Sequence, residues 1–271
     1  MIRILSILIV CSLFLLDSNA QADTVFSFKK SIQAKASGLA VDNLENIYIV
    51  TESDQLQKYD RQGDSVGVYN QSKRFGKLYS IEVTNPLKIL LFYKDFSTVV
   101  ILDRFLSERG SLDLRKLNIL QASAISISYD NNIWIFDAVD NRLKKIDDHG
   151  NLMIQTEDLR GIFPKAIKPV KIINQNNIVY LYDPSEGVYL FDHFGSFQRK
   201  FPIKNWTNLN VIDQLIVGTI DNDLKTYNTS TLIENSYRLP SSLLNFDHYM
   251  ITNTTIYSIS ANSIHIYGYQ F

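Results

Sequence analysis

Acidic side chains recur in short polar segments along the chain: Glu52 and Asp54, Asp95, Asp137 and Asp140, Asp183 and Glu186, Asp221 and Asp223. Carboxylates brought together from several loops suit a hard cation such as calcium. A cation held that way can activate water for hydrolysis. Short polar loops are also rich in Asp for a plainer reason, because its side chain bonds the backbone ahead of it. The four histidines, His149, His193, His248 and His265, have no partner at H-x-x-x-H spacing. No G-x-S-x-G elbow and no Walker loop occurs. The single cysteine, Cys11, lies in the apolar N-terminal run, so the remainder has no thiol for a disulfide or a metal site.

A second set of residues suits binding. The segment from Asn70 to Leu78 carries Lys73, Arg74, Phe75 and Lys77; that from Glu157 to Lys168 carries Arg160, Phe163, Pro164 and Lys165. The segment from Phe201 to Asn208 carries Lys204 and Trp206. Arg and aromatic side chains on loops of a rigid scaffold are common binding equipment. Arg74, Phe75, Arg160, Phe163 and Trp206 are therefore the expected partner-binding residues. Trp206 stands between Asn205 and Thr207 in a polar connection, so it is expected at the surface. The alternative is solvated lysines with aromatics tucked beneath the loops.

The elements that position these residues repeat. Polar turns stand before six apolar runs: Asp42 to Asn46 before Ile47 to Val50, Thr84 to Pro86 before Leu87 to Tyr93, and Asp130 to Asn132 before Ile133 to Phe136. Asn174 to Asn177, Asp213-Gln214 and Asn253 to Thr255 precede the other three. The step is about 40 residues, the period of a propeller blade. A second marker keeps the same register: an apolar residue, then Asp or Asn, then often Gly, as in Tyr59-Asp60 to Gly63, Ile146-Asp147 to Gly150 and Phe191-Asp192 to Gly195. That is hairpin-turn chemistry. In Arg142 to Ile146, Leu143 and Ile146 are expected on opposite strand faces with Lys144 and Lys145 between them, a mixed strand.

These repeats predict an all-β fold, a six-bladed β-propeller of four-stranded antiparallel blades. The sixth unit ends at Phe271 without an outer strand, while Thr24 to Phe28 is strand-like and has no unit of its own. This N-terminal strand is expected to complete the last blade, close the ring and remove two exposed sheet edges. In this topology the acidic loops and the long inter-unit connections share one face.

Residues 1–22 read as a cleaved secretory signal peptide and residues 23–271 as one propeller domain. Arg3 precedes an apolar run from Ile4 to Leu16, too short to span a bilayer comfortably, and small residues stand before cleavage points after Ala20 and Ala22. Export without disulfides points to a bacterial periplasm, with no membrane insertion after cleavage. The net charge of −1 and the scattered Lys and Arg argue against nucleic acid as a partner.

Asn141 to Gly150, with Ile133 to Asp137 upstream, resembles an NHL-type repeat, an apolar strand ending in Asp followed by N-x-R-I-x-x-F-D-x-x-G. Val41 to Gly63 and Asn177 to Gly195 are looser matches, and the glycine content is low for the family. The composition is similar to that of small periplasmic envelope propellers of Bacteroidota. That resemblance implies a non-catalytic interaction module, monomeric on its own, whose partner is an envelope protein of a secretion or outer-membrane assembly such as a translocon. The other implied activity is a metal-dependent lactonase or esterase. Because only Glu82 is acidic among the six innermost strands, no metal and no cofactor is expected.

Overall fold

In the second strand of most repeats, aliphatic and aromatic residues form a nearly unbroken apolar run, and such a run is stable only when covered on both faces. The computed structural model describes residues 25–244, 246, 248–260 and 262–270 and covers these runs in that way. Lys88–Tyr93 and Ile133–Asp137 are buried along their whole lengths. Six four-stranded antiparallel sheets form a closed ring of blades.

From the innermost strand outward, blade 1 comprises Gly38–Val41, Ile47–Val50, Leu56–Tyr59 and Ser65–Tyr69. Blade 2 comprises Ser80–Asn85, Lys88–Tyr93, Thr98–Asp103 and Glu108–Asp113. Blade 3 comprises Ala122–Ile127, Ile133–Asp137, Arg142–Ile146 and Leu152–Gln155; blade 4 comprises Lys171–Gln175, Ile178–Asp183, Gly187–Asp192 and Phe197–Phe201. Blade 5 comprises Thr207–Ile212, Leu215–Ile220, Asp223–Asn228 and Glu234–Arg238. Blade 6 takes His248–Ile251, Thr255–Ser260 and Ser263–Tyr269 from the end of the chain and its outer strand, Phe26–Gln33, from the beginning.

That last strand closes the ring. It runs antiparallel to Ser263–Tyr269, from Phe26 opposite Tyr269 to Gln33 opposite Ser263, with a bulge between Phe28 and Lys30. It extends five residues beyond the expected Phe28, while Thr24 and the segment 1–22 lie outside the described residues.

The turns are built as their residues dictate. Asp60 Oδ1 accepts the backbone N–H groups of Gln62, Gly63 and Asp64, each at 2.9 Å, and Gly63 supplies the positive φ. Asp103, Asp147, Asp192 and Asn228 repeat the arrangement in blades 2 to 5. Where Gly is missing, Leu106 and Leu232 take the left-handed conformation at φ 64° and 62°. In the other turns Asn131, Asn176 and Asn177 do so, since Asn tolerates that region better than most residues.

Each seam between adjacent blades has its own hydrophobic cluster. The seam joining blades 6 and 1 has the fewest buried members: Val41, Ile47, Ile49, Tyr257, Ile264 and Ile266. In the strand Arg142–Ile146, Leu143 and Ile146 face opposite seams as expected, and the lysines between them are buried too. Lys144 and Lys145 are both buried, at 4% and 3% exposure, because each meets a carboxylate inside the ring. Lys144 Nζ lies 2.8 Å from the fully buried Asp137 and 2.5 Å from Asp140. Lys145 Nζ lies 2.7 Å from Asp130 and over the rings of Trp134 and Tyr129.

Candidate functional site

Alternation of strand direction puts the second-to-third-strand loops and the inter-blade connections on one face of the ring. Hydrogen bonds tie the two sets together. Leu114 N–H donates to Ser97 O and the Arg115 guanidinium to Asp95 O. Leu159 N–H donates to Asn141 O and Arg160 to Asp140 O; Asn205 N–H donates to Pro184 O and Leu239 N–H to Asn222 O. The connections leaving blades 2 to 5 thus each fold back onto a loop of the blade they leave. The face is a braced surface, since each bond satisfies backbone groups that would otherwise depend on water.

Apolar side chains from the connections lock them further. Leu114, Leu159 and Leu243 are fully buried, and Ile203 and Leu239 nearly so. Phe75 serves the same purpose between blades 1 and 2. It is 7% exposed and packs within 5.2 Å of the Tyr93 ring. Trp206 is 5% exposed, in the cluster formed by blades 4 and 5. Its ring lies against Gly218, where an added Cβ would sit 3.1 Å from Trp206 Cε3. Tyr182 Oη donates to Trp206 O at 2.6 Å.

The expectation that Phe75 and Trp206 are surface anchors is therefore corrected. Both are core residues, because the connections dip into the seams between blades. For Trp206 a signal was present: Gly218 interrupts a strand interior, where glycine often marks a close approach. Of the other expected anchors, Phe163 is half-buried between the Tyr189 and Phe197 rings. Arg74 and Arg160 are exposed at the surface. Arg74 pairs with Glu108 and lies over the Phe75 ring. Arg160 pairs with Asp158, and that hydrogen bond holds the Asp158 carboxyl down at about 2.

Most loop acids have structural work of their own. Asp137 accepts from Leu120, Gln121 and Val139 N–H as well as from Lys144. Asp183 is buried and accepts from Lys168 N–H at 2.7 Å and Ser185 N–H at 2.9 Å. Glu186 bridges Lys165 and Lys200, whose hydrogen bonds hold its carboxyl below the usual range. Among the described residues, no three His, Cys, Asp or Glu side chains group as a metal site. His149 and His193 sit in turns on the opposite face, and His265 bonds Ser263 Oγ at 2.8 Å in the last strand.

Two of the other loop acids, Asp54 and Asp95, border a central cavity of about 730 Å³, which opens toward the connection face. They line it together with Lys77 and Lys94, and the inner strands add Glu82 and Lys171. Glu82 Oε2 accepts from Ser126 Oγ of blade 3 at 3.1 Å; its Oε1 accepts from Thr84 N–H at 2.8 Å. Lys171 Nζ donates to Leu209 O of blade 5 at 2.7 Å. Burial lowers the Lys171 ammonium from its ordinary range, and the charge of Glu82 restores part of it.

On the same face, exposed apolar side chains gather in the sector of blades 2 to 4. Tyr79, Phe96, Leu120, Val139, Ile162 and Val170 are each roughly half exposed, between 44% and 55%. All six belong to loops or connections of the braced face.

No protein-family model matches the chain, and no curated protein does. Solved structures match its fold. The WD40 domain of Neurospora crassa Pan2 superposes with a TM-score of 0.65 at 10% identity, covering 91% of this chain and 96% of that one. A catalytically inactive virginiamycin B lyase from Staphylococcus aureus, solved with quinupristin, gives 0.62 at 12% identity, covering 90% and 100%. A Bacteroides fragilis protein named for its expected export gives 0.61 at 10% identity, covering 92% and 97%. At these identities the likeness is one of fold, and the fold is shared by an enzyme and by propellers of other kinds.

Proposed function

We propose that the chain is a non-catalytic propeller of the periplasm that binds an envelope protein through its connection face. The observation that supports this most is the sector carrying Tyr79, Phe96, Leu120, Val139, Ile162 and Val170 on loops braced to one another. Apolar side chains held in the open on a rigid surface suit burial against a partner. Arg74 and Arg160 stand as polar groups on that face. Their ion pairs are exposed and hold little energy, so either guanidinium can be re-paired across an interface. The loop acids that could have served a hydrolytic metal are in large part taken by lysines and by backbone N–H groups. Export rests on the apolar run in residues 1–22, which lies outside the described residues.

The test compares capture from native membranes by the tagged wild type, a Phe96→Ser/Ile162→Ser variant, and a Leu44→Ser/Leu87→Ser variant on the opposite face. The expected result is one partner lost about tenfold or more with the first variant only, with unfolding midpoints unchanged. Loss with the opposite-face variant alone overturns the assignment of the face. Intact mass of the native chain tests export: a retained Met1 overturns it.

A further inference from the structure

The cavity owes its shape to one register position. Gly38 pairs with Val50, Ser80 with Phe92, Ala124 with Phe136 and Lys171 with Tyr182. Those four partners hold the same place in their second strands, so the four inner residues are equivalent. Three are small and leave the level open. The fourth lines the same space with an amine. The next residues along the strands, Leu39, Ile81, Ile125 and Ile172, make the wall apolar.

Lys171 is an unusual occupant of such a wall. Among the described residues it makes no ion pair, and Leu209 O is its single hydrogen-bond acceptor. An ammonium has three donors, so two remain. Glu82 is the carboxylate whose field reaches it. That carboxylate is already engaged: Thr84 N–H and Oγ1 donate to Oε1, and Ser126 Oγ to Oε2.

We propose that the channel binds a small monocarboxylate with an apolar body, its carboxylate seated on Lys171. The two remaining donors suit a carboxylate oxygen pair, and charge-assisted bonds are the strong ones. An apolar wall can accept a hydrocarbon body but cannot solvate further charges. Beside Lys171 one cation faces one fixed carboxylate, Glu82, which favours a single negative charge at this level, while Lys77, Lys94, Asp54 and Asp95 line the cavity from the loops of the connection face. The volume falls within the range of small-molecule pockets, roughly 300–1,000 Å³. This site does not depend on the protein partner proposed above.

The test is calorimetric titration of the full chain with octanoate, and with octanamide as the uncharged control. Octanoate should bind saturably, and octanamide about tenfold more weakly. Lys171→Met should weaken octanoate about tenfold or more, and Lys171→Arg should retain most of the affinity. Glu82→Gln removes the opposing charge and should tighten octanoate. Each variant's unfolding midpoint is measured, because Lys171→Met also leaves Leu209 O without its donor. If that variant does not fold, Glu82→Gln decides, and unchanged affinity there overturns the proposal. Absence of saturable binding up to about millimolar octanoate, or unchanged affinity in a folded Lys171→Met, also overturns it.

Discussion

Replacing Trp206 with alanine removes the largest side chain of the seam between blades 4 and 5. An aromatic side chain buries roughly 150–250 Å². At about 25 cal/mol per Å² that is roughly 4–6 kcal/mol, from which the methyl of alanine must be subtracted. Measured Trp→Ala changes in cores run at about 3–5 kcal/mol. Trp206 is 5% exposed and sits among Tyr182, Phe201, Ile203 and Leu209, so the upper half of that range is expected. For a chain of this size the melting midpoint should fall by roughly 8–20 °C. Urea unfolding followed by circular dichroism measures the loss. The chain has two tryptophans, so the variant leaves the buried Trp134 as a fluorescent reporter. Gly218→Ala provides the companion perturbation. Its Cβ would sit 3.1 Å from both Trp206 Cε3 and Thr207 O, an overpacking that costs about 1–3 kcal/mol. Removing the Trp206 ring relieves part of that crowding, so the double variant should lose less than the sum of the single losses. A loss under about 1 kcal/mol for Trp206→Ala would refute the reasoning and return this residue to the surface.

Deleting Phe26–Gln33 should lower the unfolding midpoint and promote self-association, because it uncovers the edge of Ser263–Tyr269 beside the seam with the fewest buried members. Thermal scans and light scattering read both effects, and an unchanged midpoint counts against closure by this strand. Lys144→Met should cost about 3–5 kcal/mol in urea unfolding, since it leaves Asp137 buried without its cation. Burial alone would raise the Asp137 carboxyl, but the Lys144 hydrogen bond and charge outweigh it and hold the group below 3.8. The folded state then binds fewer protons than the unfolded one, so this stabilisation is present above 3.8 and is lost as pH falls through the folded value. Midpoints measured from neutral pH down to about pH 3 should show that decline, and it should shrink in a Lys144→Met/Asp137→Leu double variant.

The amino-acid sequence by itself determined the number of blades, the four strands of each, and the use of an N-terminal strand to close the last. These features rest on local rules. A strand covered on both faces needs an unbroken apolar run, and a tight turn needs Asp, Asn or Gly at fixed places, so both leave a periodic trace. The missing outer strand after Ser263–Tyr269 is a matter of counting, and the register of Phe26–Gln33 against it follows. Burial of single side chains was decided only by the tertiary structure. The strand of Lys144 and Lys145 reads as mixed, and only the structure shows both lysines buried, with Asp137 and Asp130 brought to them across the sheet. Phe75 and Trp206 read as exposed because their neighbours in sequence are polar. Their surroundings come from the next blade, and for Trp206 the space is left by Gly218, twelve residues away in the chain. The candidate site follows the same division. Its face could be read from strand alternation. The apolar sector of blades 2 to 4 and the lone amine of Lys171 emerged only when loops distant in sequence met around one axis. A side chain's environment is set by contacts that immediate sequence neighbours do not make: some come across the sheet of one blade, as Asp137 does for Lys144, and others from the neighbouring blade about one repeat away, as Leu209 does for Lys171.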